Sequence, residues 1–216
     1  MKRGIRSGTV TKRAITGAGT VARKVQRRLI WVPIIHTEAD LGHLAESVRN
    51  LYVNKMGRAK WAKHVADIGR FWRAIRLRIQ GMQLDYAHVR LYQDGLPHCG
   101  QEKQIVADLA QAGSQNHQLL ADLMTRGATV MGTESPELLL EEYNLARETL
   151  AASGQGKPPG ASPQQGAVAS ALLDRRDRYI AERIAQTLQP GDTGVVFLGM
   201  LHSLAGRLPP DIKIVR

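Results

Sequence analysis

Cysteine, phenylalanine and long apolar runs are the scarce features of this 216-residue chain, which has one Cys (Cys99) and two Phe. A lone thiol cannot form an internal disulfide, and no CxxC or Cys/His cluster supplies a structural zinc site, so the chain reads as one made for a reducing compartment. The longest nearly unbroken apolar run, Leu29 to Ile35, is far too short to span a bilayer, and residues 1–28 carry no hydrophobic segment of the secretory type. The expected location is therefore the cytoplasm. Common chemical signatures are missing as well. There is no GxGxxG behind a strand, no phosphate-binding GxxxxGK loop, no HExxH and no Gly-x-Ser-x-Gly elbow, and Cys99 has His98 beside it without a clear base beyond.

Acidic residues are wholly absent from the first 28 positions, where Lys2, Arg3, Arg6, Lys12, Arg13, Arg23, Lys24, Arg27 and Arg28 place +9 of the chain's net +11. Rich in Gly, Ser and Thr, this stretch has too little apolar surface to offset the entropy of ordering, and it reads as a basic arm, disordered or ordered by a partner. Such an arm suits nucleic acid or another anionic partner. The remaining +2 marks residues 29–216 as an ordinary single domain with a core, consistent with 43% hydrophobic residues overall.

Within that domain the periodicity alternates. Leu29–Ile35 reads as a buried strand, followed by a helix through Leu41, Leu44, Val48 and Leu51 that Asp40 is placed to cap. Trp61, Val65, Ile68, Trp72, Ile75 and Ile79 mark a second helix by their 4-3-4-3-4 spacing, and its other positions carry Lys60, Lys63, Arg70, Arg73, Arg76 and Arg78. Val89–Gln93 is a second strand. Two short helices follow, through Ile105 and Leu109 and through Leu119, Leu120 and Leu123, with Gly113-Ser114 as breaker and cap. Ala128–Met131 is a third strand, and Ser135-Pro136 opens another helix. Residues 152–166, rich in Gly, Pro, Ser and Gln, read as a flexible connection. A long helix is expected from about Val168 to Leu188, then strands at Val195–Leu198 and Ile212–Val215. Strands alternating with helices predict an α/β domain with a mainly parallel sheet of four or five strands, covered by helices on both faces.

Ligands of open parallel sheets bind beyond the carboxyl ends of the strands. There the chain delivers His36 with Glu38 and Asp40, then Asp94, then Glu134, then His202. Two imidazoles and several carboxylates on one edge suit a divalent metal with open positions for water and substrate. Each residue also has a plainer use: Asp40 as a helix cap, Asp94 as a turn residue before Gly95, Glu134 as a first-turn acid. Arg176 shares the apolar stripe of its helix with Leu173, Ile180 and Ile184, so its guanidinium needs an acceptor, either a structural carboxylate or an oxyanion in the site.

Gly199-Met-Leu-His202, a preceding helix with Arg175-Arg176-Asp177 and Ile180-Ala-Glu-Arg-Ile184, and Glu134 between two histidines resemble the TIKI/TraB metalloprotease family and its wider superfamily with erythromycin-esterase-like and ChaN-type haem-binding proteins. That pattern has a Gly-x-x-His motif at the first strand, where this chain has Pro33-Ile-Ile-His36. The resemblance spans residues 29–216 and implies metal-dependent hydrolysis for some relatives and haem binding or no catalysis for others. Together with the strand-end residues it leads to the expectation of a metal-dependent hydrolase acting on a small-molecule or peptide substrate, in which His36 and His202 hold the metal, Asp94 is the reserve ligand, and Glu134 and Arg176 act in catalysis. Two other readings stand beside it. One is a binding or assembly protein that works through its basic arm, and the other is a haem or ligand carrier.

Overall fold

A computed structural model describes residues 1, 26–154 and 163–215. The expected arm, apart from its last residues, and most of the expected flexible connection fall on residues 2–25 and 155–162, outside the described residues.

Five strands form one sheet: β1 (Arg27–Ile34), β2 (Val89–Gln93), β3 (Thr129–Met131), β4 (Thr193–Gly199) and β5 (Ile212–Val215), in the order β3-β2-β4-β1-β5. Every pairing is parallel, as the α/β reading requires. The helices are α1 (Ala45–Met56), α2 (Arg58–Gln80), α3 (Glu102–Gln111), α4 (Gln115–Thr125), α5 (Pro136–Gly154) and α6 (Pro163–Thr187).

The period-two alternation of the strands divides the core in two. Ile30, Val32 and Ile34 of β1, Leu91 of β2 and Val195 and Phe197 of β4 pack with Ile68, Trp72 and Ile79 of α2 and with Leu119, Leu120 and Leu123 of α4. Their strand neighbours Leu29, Trp31, Tyr92, Val196 and Leu198 face the other way, onto Ile180, Ile184 and Leu188. Right-handed crossovers explain the division. The chain leaving β1 and β2 moves toward the β3 edge and lays α2, α3 and α4 on the first face. The chain leaving β3 and β4 moves back and places α6, and later Leu204, on the second. Neighbouring strands β2, β4 and β1 thus send their loops to opposite faces, which opens a crevice above their carboxyl ends.

Several boundaries differ from expectation for local reasons. β1 begins at Arg27, so Arg27 and Arg28 belong to the sheet and not to the arm. Arg27 donates to Asp211 at 2.9 Å and to the carbonyls of Ala185 and Leu188 at 2.7 and 2.8 Å, capping the end of α6. α6 starts at Pro163, ahead of Val168, because proline is compatible with a first helical turn. α5 likewise continues through residues 152–154. The helix expected from Leu41 begins instead as a 3-10 turn, Glu38–Leu44, kinked at Gly42, and Asp40 sits inside it.

Pro33 is tolerated in β1 because of what lies beside it. The Arg27 N–H points to the β5 side, so the odd-numbered residues face that edge, and β5 pairs no further than Ile30. The donor that Pro33 lacks falls where no ladder partner is paired.

Candidate functional site

The sheet order sets Glu134, Asp94, His202 and His36 side by side, since they follow β3, β2, β4 and β1 respectively. Each is fixed by its own loop. Past the ends of β2 and β3 the two loops keep pairing: Thr133 and Glu134 donate their N–H groups to the Leu96 carbonyl at 3.0 Å, and His98 donates to the Glu134 carbonyl at 2.8 Å. The Glu134 side chain turns inward and is fully buried, accepting from the Gly95 N–H at 2.7 Å. Gly95 has φ +75°, the left-handed region a side chain disfavours, so the turn foreseen at Asp94-Gly95 also supplies that donor.

His36 is held from both sides. Before it, the Trp72 indole N–H donates to the Ile35 carbonyl at 3.1 Å. After it, Asp40 accepts from the Thr37 N–H at 2.6 Å and the Thr37 hydroxyl at 2.8 Å, and from Ser114, whose hydroxyl also meets His117 Nδ1 at 2.7 Å. Asp40 therefore caps from inside the 3-10 turn and anchors it to the start of α4. Burial would raise its carboxyl, but His117, Ser114 and Thr37 outweigh that and lower it to about 2.

Asp94 is the hub. Its Oδ2 accepts from the Gly199 N–H at 2.8 Å and lies 3.3 Å from Nε2 of both His36 and His202. Its Oδ1 accepts from Arg176 Nη2 at 2.9 Å. A Cβ on Gly199 would come within 3.0 Å of Asp94 Oδ2 and 3.8 Å of His36 Nε2, so glycine at the end of β4 is what lets the carboxylate and imidazole approach. Burial works against Asp94 ionisation, yet the hydrogen bonds of His202 and His36 hold it well below the usual carboxylate range.

Arg176 finds its acceptors on three sides. It grips Glu134 through Nε at 2.6 Å and Nη2 at 2.8 Å, reaches Asp94, and meets Glu142 of α5 through Nη1. Of the two partners left open by the sequence, structural carboxylate or oxyanion, the carboxylates occupy it. Burial still pushes the Glu134 carboxyl upward against the pull of Arg176.

His202 has a further partner that sequence reading left without a role. Asp177, one residue after Arg176 on α6, lies 2.7 Å from His202 Nδ1 and accepts the Ser203 N–H at 2.9 Å. An ionised carboxylate only accepts, so Nδ1 carries a proton and Nε2 is the nitrogen turned to Asp94. Burial would lower the imidazole, but Asp177 and then Asp94 raise it to about 9. Asp177 and Glu142 were hidden because their roles depend on how α6 and α5 are rotated against the strand ends. The one available signal was Asp177 beside Arg176 on the buried stripe.

Among the described residues, Asp94, Glu134 and His202 are the group able to hold a metal ion, with ligand atoms all within 4.8 Å of one another and all three residues buried. Glu134, expected in catalysis, belongs to this group. His36, expected as a ligand, does not, although it reaches the same Asp94 oxygen, and its side chain is 40% exposed against 5% for Asp94. The donors suit a cation. One nitrogen and carboxylate oxygens favour borderline and hard divalent ions, and a second carboxylate fixing the far nitrogen of the histidine is a recurrent support for a ligating imidazole. The 3.3 Å between His202 Nε2 and Asp94 Oδ2 equals the edge of a tetrahedron with bonds of roughly 2.0–2.1 Å. In the described residues no helix is long and apolar enough to cross a membrane. Comparison with protein-family models, curated proteins and solved structures finds no match to this chain.

Proposed function

We propose that the protein is a metal-dependent hydrolase whose centre is Asp94, Glu134 and His202, with His36 as the proton-transfer group at its open side. The observation that carries this reading is the buried group itself, in which Asp94, Glu134 and, behind His202, Asp177 converge, and Arg176, which Glu142 also engages, is the one permanent positive charge paired with Asp94 and Glu134 among the described residues. Such a cluster calls for more positive charge, and a proton on His202 Nε2 stands where a cation would bind.

A divalent ion there would supply a water acidified toward neutral pH and a Lewis acid for the substrate carbonyl. His202, Asp94 and Glu134 would hold it, and Asp177 keeps His202 in the tautomer with Nε2 available. Arg176 positions Glu134 and Asp94 through its fork and is a positioning residue, not an oxyanion binder, in this arrangement. His36, the exposed imidazole, takes or returns a proton as the scissile bond is attacked. Its pKa is raised because the Asp94 hydrogen bond outweighs the opposing effect of burial. The resemblance to the TIKI/TraB superfamily supports the same assignment at Gly199-Met-Leu-His202, Glu134 and Arg176. Cytoplasmic location and the small-molecule or peptide substrate belong to this proposal as well.

Elemental analysis of protein purified without chelator tests it. The expected result is a stoichiometric divalent metal that is lost in an Asp94→Asn/His202→Ala variant. Equal, negligible metal in both proteins counts decisively against the centre. A Soret band in the fresh protein would point instead to the haem carrier, and salt-dependent nucleic-acid binding that vanishes on deletion of residues 1–28 would favour the arm-based reading.

A further inference from the structure

An apolar cavity of about 470 Å³ opens directly beside the proposed centre. Phe71, Ile75 and Ile79 of α2 form one wall, and the β1 stretch Ile30, Trp31, Val32 and Pro33 forms the other. The chain leaves the carboxyl end of β1 through the 3-10 turn and α1, and α2 then delivers it to the amino end of β2, so this stripe runs back along the strand and spans roughly 12 Å from Phe71 to Ile79 at the helical rise. The cavity is thus a groove with two unlike ends. At the carboxyl end it is lined by His202 and Ser203, at the other by Arg78, whose exposed guanidinium has no ion-pair partner among the described residues.

We propose that this groove binds the substrate itself: an unbranched apolar chain with a hydrolysable bond at His202 and a carboxylate at its far end, paired with Arg78. The substrate assignment rests on the hydrolase reading, whereas the groove and its ligand do not. The charge argument identifies the occupant. A purely hydrocarbon ligand would leave Arg78 unmatched at the mouth, and a polar one would meet a wall of Phe, Ile and Val. An apolar body with one anionic end satisfies both. Met82 and Met200, lining opposite ends, are side chains that adapt to chains of different length.

Binding of hexanoate, octanoate, decanoate and decanol to the full-length, metal-free protein, followed by calorimetry, tests this without reference to activity. The expected affinity rises about fourfold for each added methylene. Arg78→Gln, at an exposed position that leaves the fold intact, weakens decanoate roughly tenfold or more and leaves decanol unchanged. Ile75→Trp, which fills the groove, weakens both. Loading with zinc leaves decanoate affinity unchanged, because its carboxylate sits at Arg78 and not at the centre.

The proposal is overturned by equal binding of hexanoate and decanoate, by an Arg78→Gln effect that is the same on decanoate and decanol, or by zinc-dependent decanoate binding. It is equally overturned if light scattering shows a dimer and none of these ligands binds, the mark of a groove covered by a second copy. If the chain-length series holds while metal analysis is negative, the ligand site stands and the hydrolase reading falls. Metal without a chain-length series is the reverse.

Discussion

Both ends of the sheet bury charge, but they do so in opposite ways. At the amino end Arg27 meets Asp211 and two helix-terminal carbonyls, while Arg90 donates to Asp192 at 2.9 Å and to Thr129 at 3.0 Å. Arg27 and Arg90 each meet an acid there, and further donors of both close on backbone or hydroxyl groups. At the carboxyl end Asp94, Glu134 and Glu142 share one arginine, while Asp177 pairs with His202, and Asp94 also draws on both imidazoles, whose charge depends on protonation. Matched pairs pin loops to strands. An excess of buried carboxylate lowers no energy unless something cationic joins it, so selection for stability alone does not account for it. The proposed centre rests on this difference and not on any relative.

Removing the arginine at each end is the sharpest way to break that contrast. Arg176→Met strands Glu134 and Asp94 as buried carboxylates without their counter-charge, and the expected loss is about 3–5 kcal/mol in urea unfolding. A divalent cation restores part of this loss if the cluster binds one. If Arg176→Met costs no more than the matching substitution of Arg90, the two ends are energetically alike and the contrast fails.

A smaller effect is expected one shell out. Asp177→Asn leaves His202 without its ionised partner, and cation affinity should fall about 10–100-fold in a chelator-competition titration. The hydrogen bond to the Ser203 N–H survives in the amide, so the thermal midpoint should move far less than in Arg176→Met. Unchanged affinity would mean that His202 is not a ligand.

The strand ends were legible in the sequence, while the wiring between them was not. The β-branched and aromatic residues of Val89–Gln93 and the apolar run Val195–Leu198 mark two strands, Asp94 comes directly after the first and His202 closes the Gly199-Met-Leu-His segment after the second, so both could be named and assigned to one edge from chain order alone. Arg176 declared itself by standing on an apolar stripe. What depended on the rotation of α5 and α6 was invisible: Glu142 closing on Arg176 and Asp177 on His202. Nor did chain order show that His36, placed by the loop after β1, would fall outside the compact group. The arm boundary slipped for a related reason. Arg27 looks like its basic neighbours until Asp211, 184 residues away, comes beside it.

Asp40 extends the comparison to pH. Its carboxyl is lowered to about 2 from an ordinary value of 3.8, so it contributes stability that is fully present above pH 4 and is lost as pH falls through 2. The linked stabilisation is about 2 kcal/mol. Wild type and Asp40→Asn should therefore differ at pH 5 by about that amount and converge near pH 2. A constant gap over that range would show that Asp40 acts as a packing group and not as a charge.

The smallest effect is expected at the amino end. Arg90 is one-quarter exposed, and Asp192 keeps the Gln189 N–H as a second donor when the guanidinium is gone. Solvent screens the pair, so Arg90→Leu should cost about 1 kcal/mol or less and should leave cation affinity and decanoate binding untouched. This variant is the control for the others, because it removes a buried-edge arginine of the same sheet without disturbing the carboxylate excess. A loss of cation binding in Arg90→Leu would mean that the sheet transmits strain from end to end, and the separation between a scaffold end and a chemical end would no longer hold.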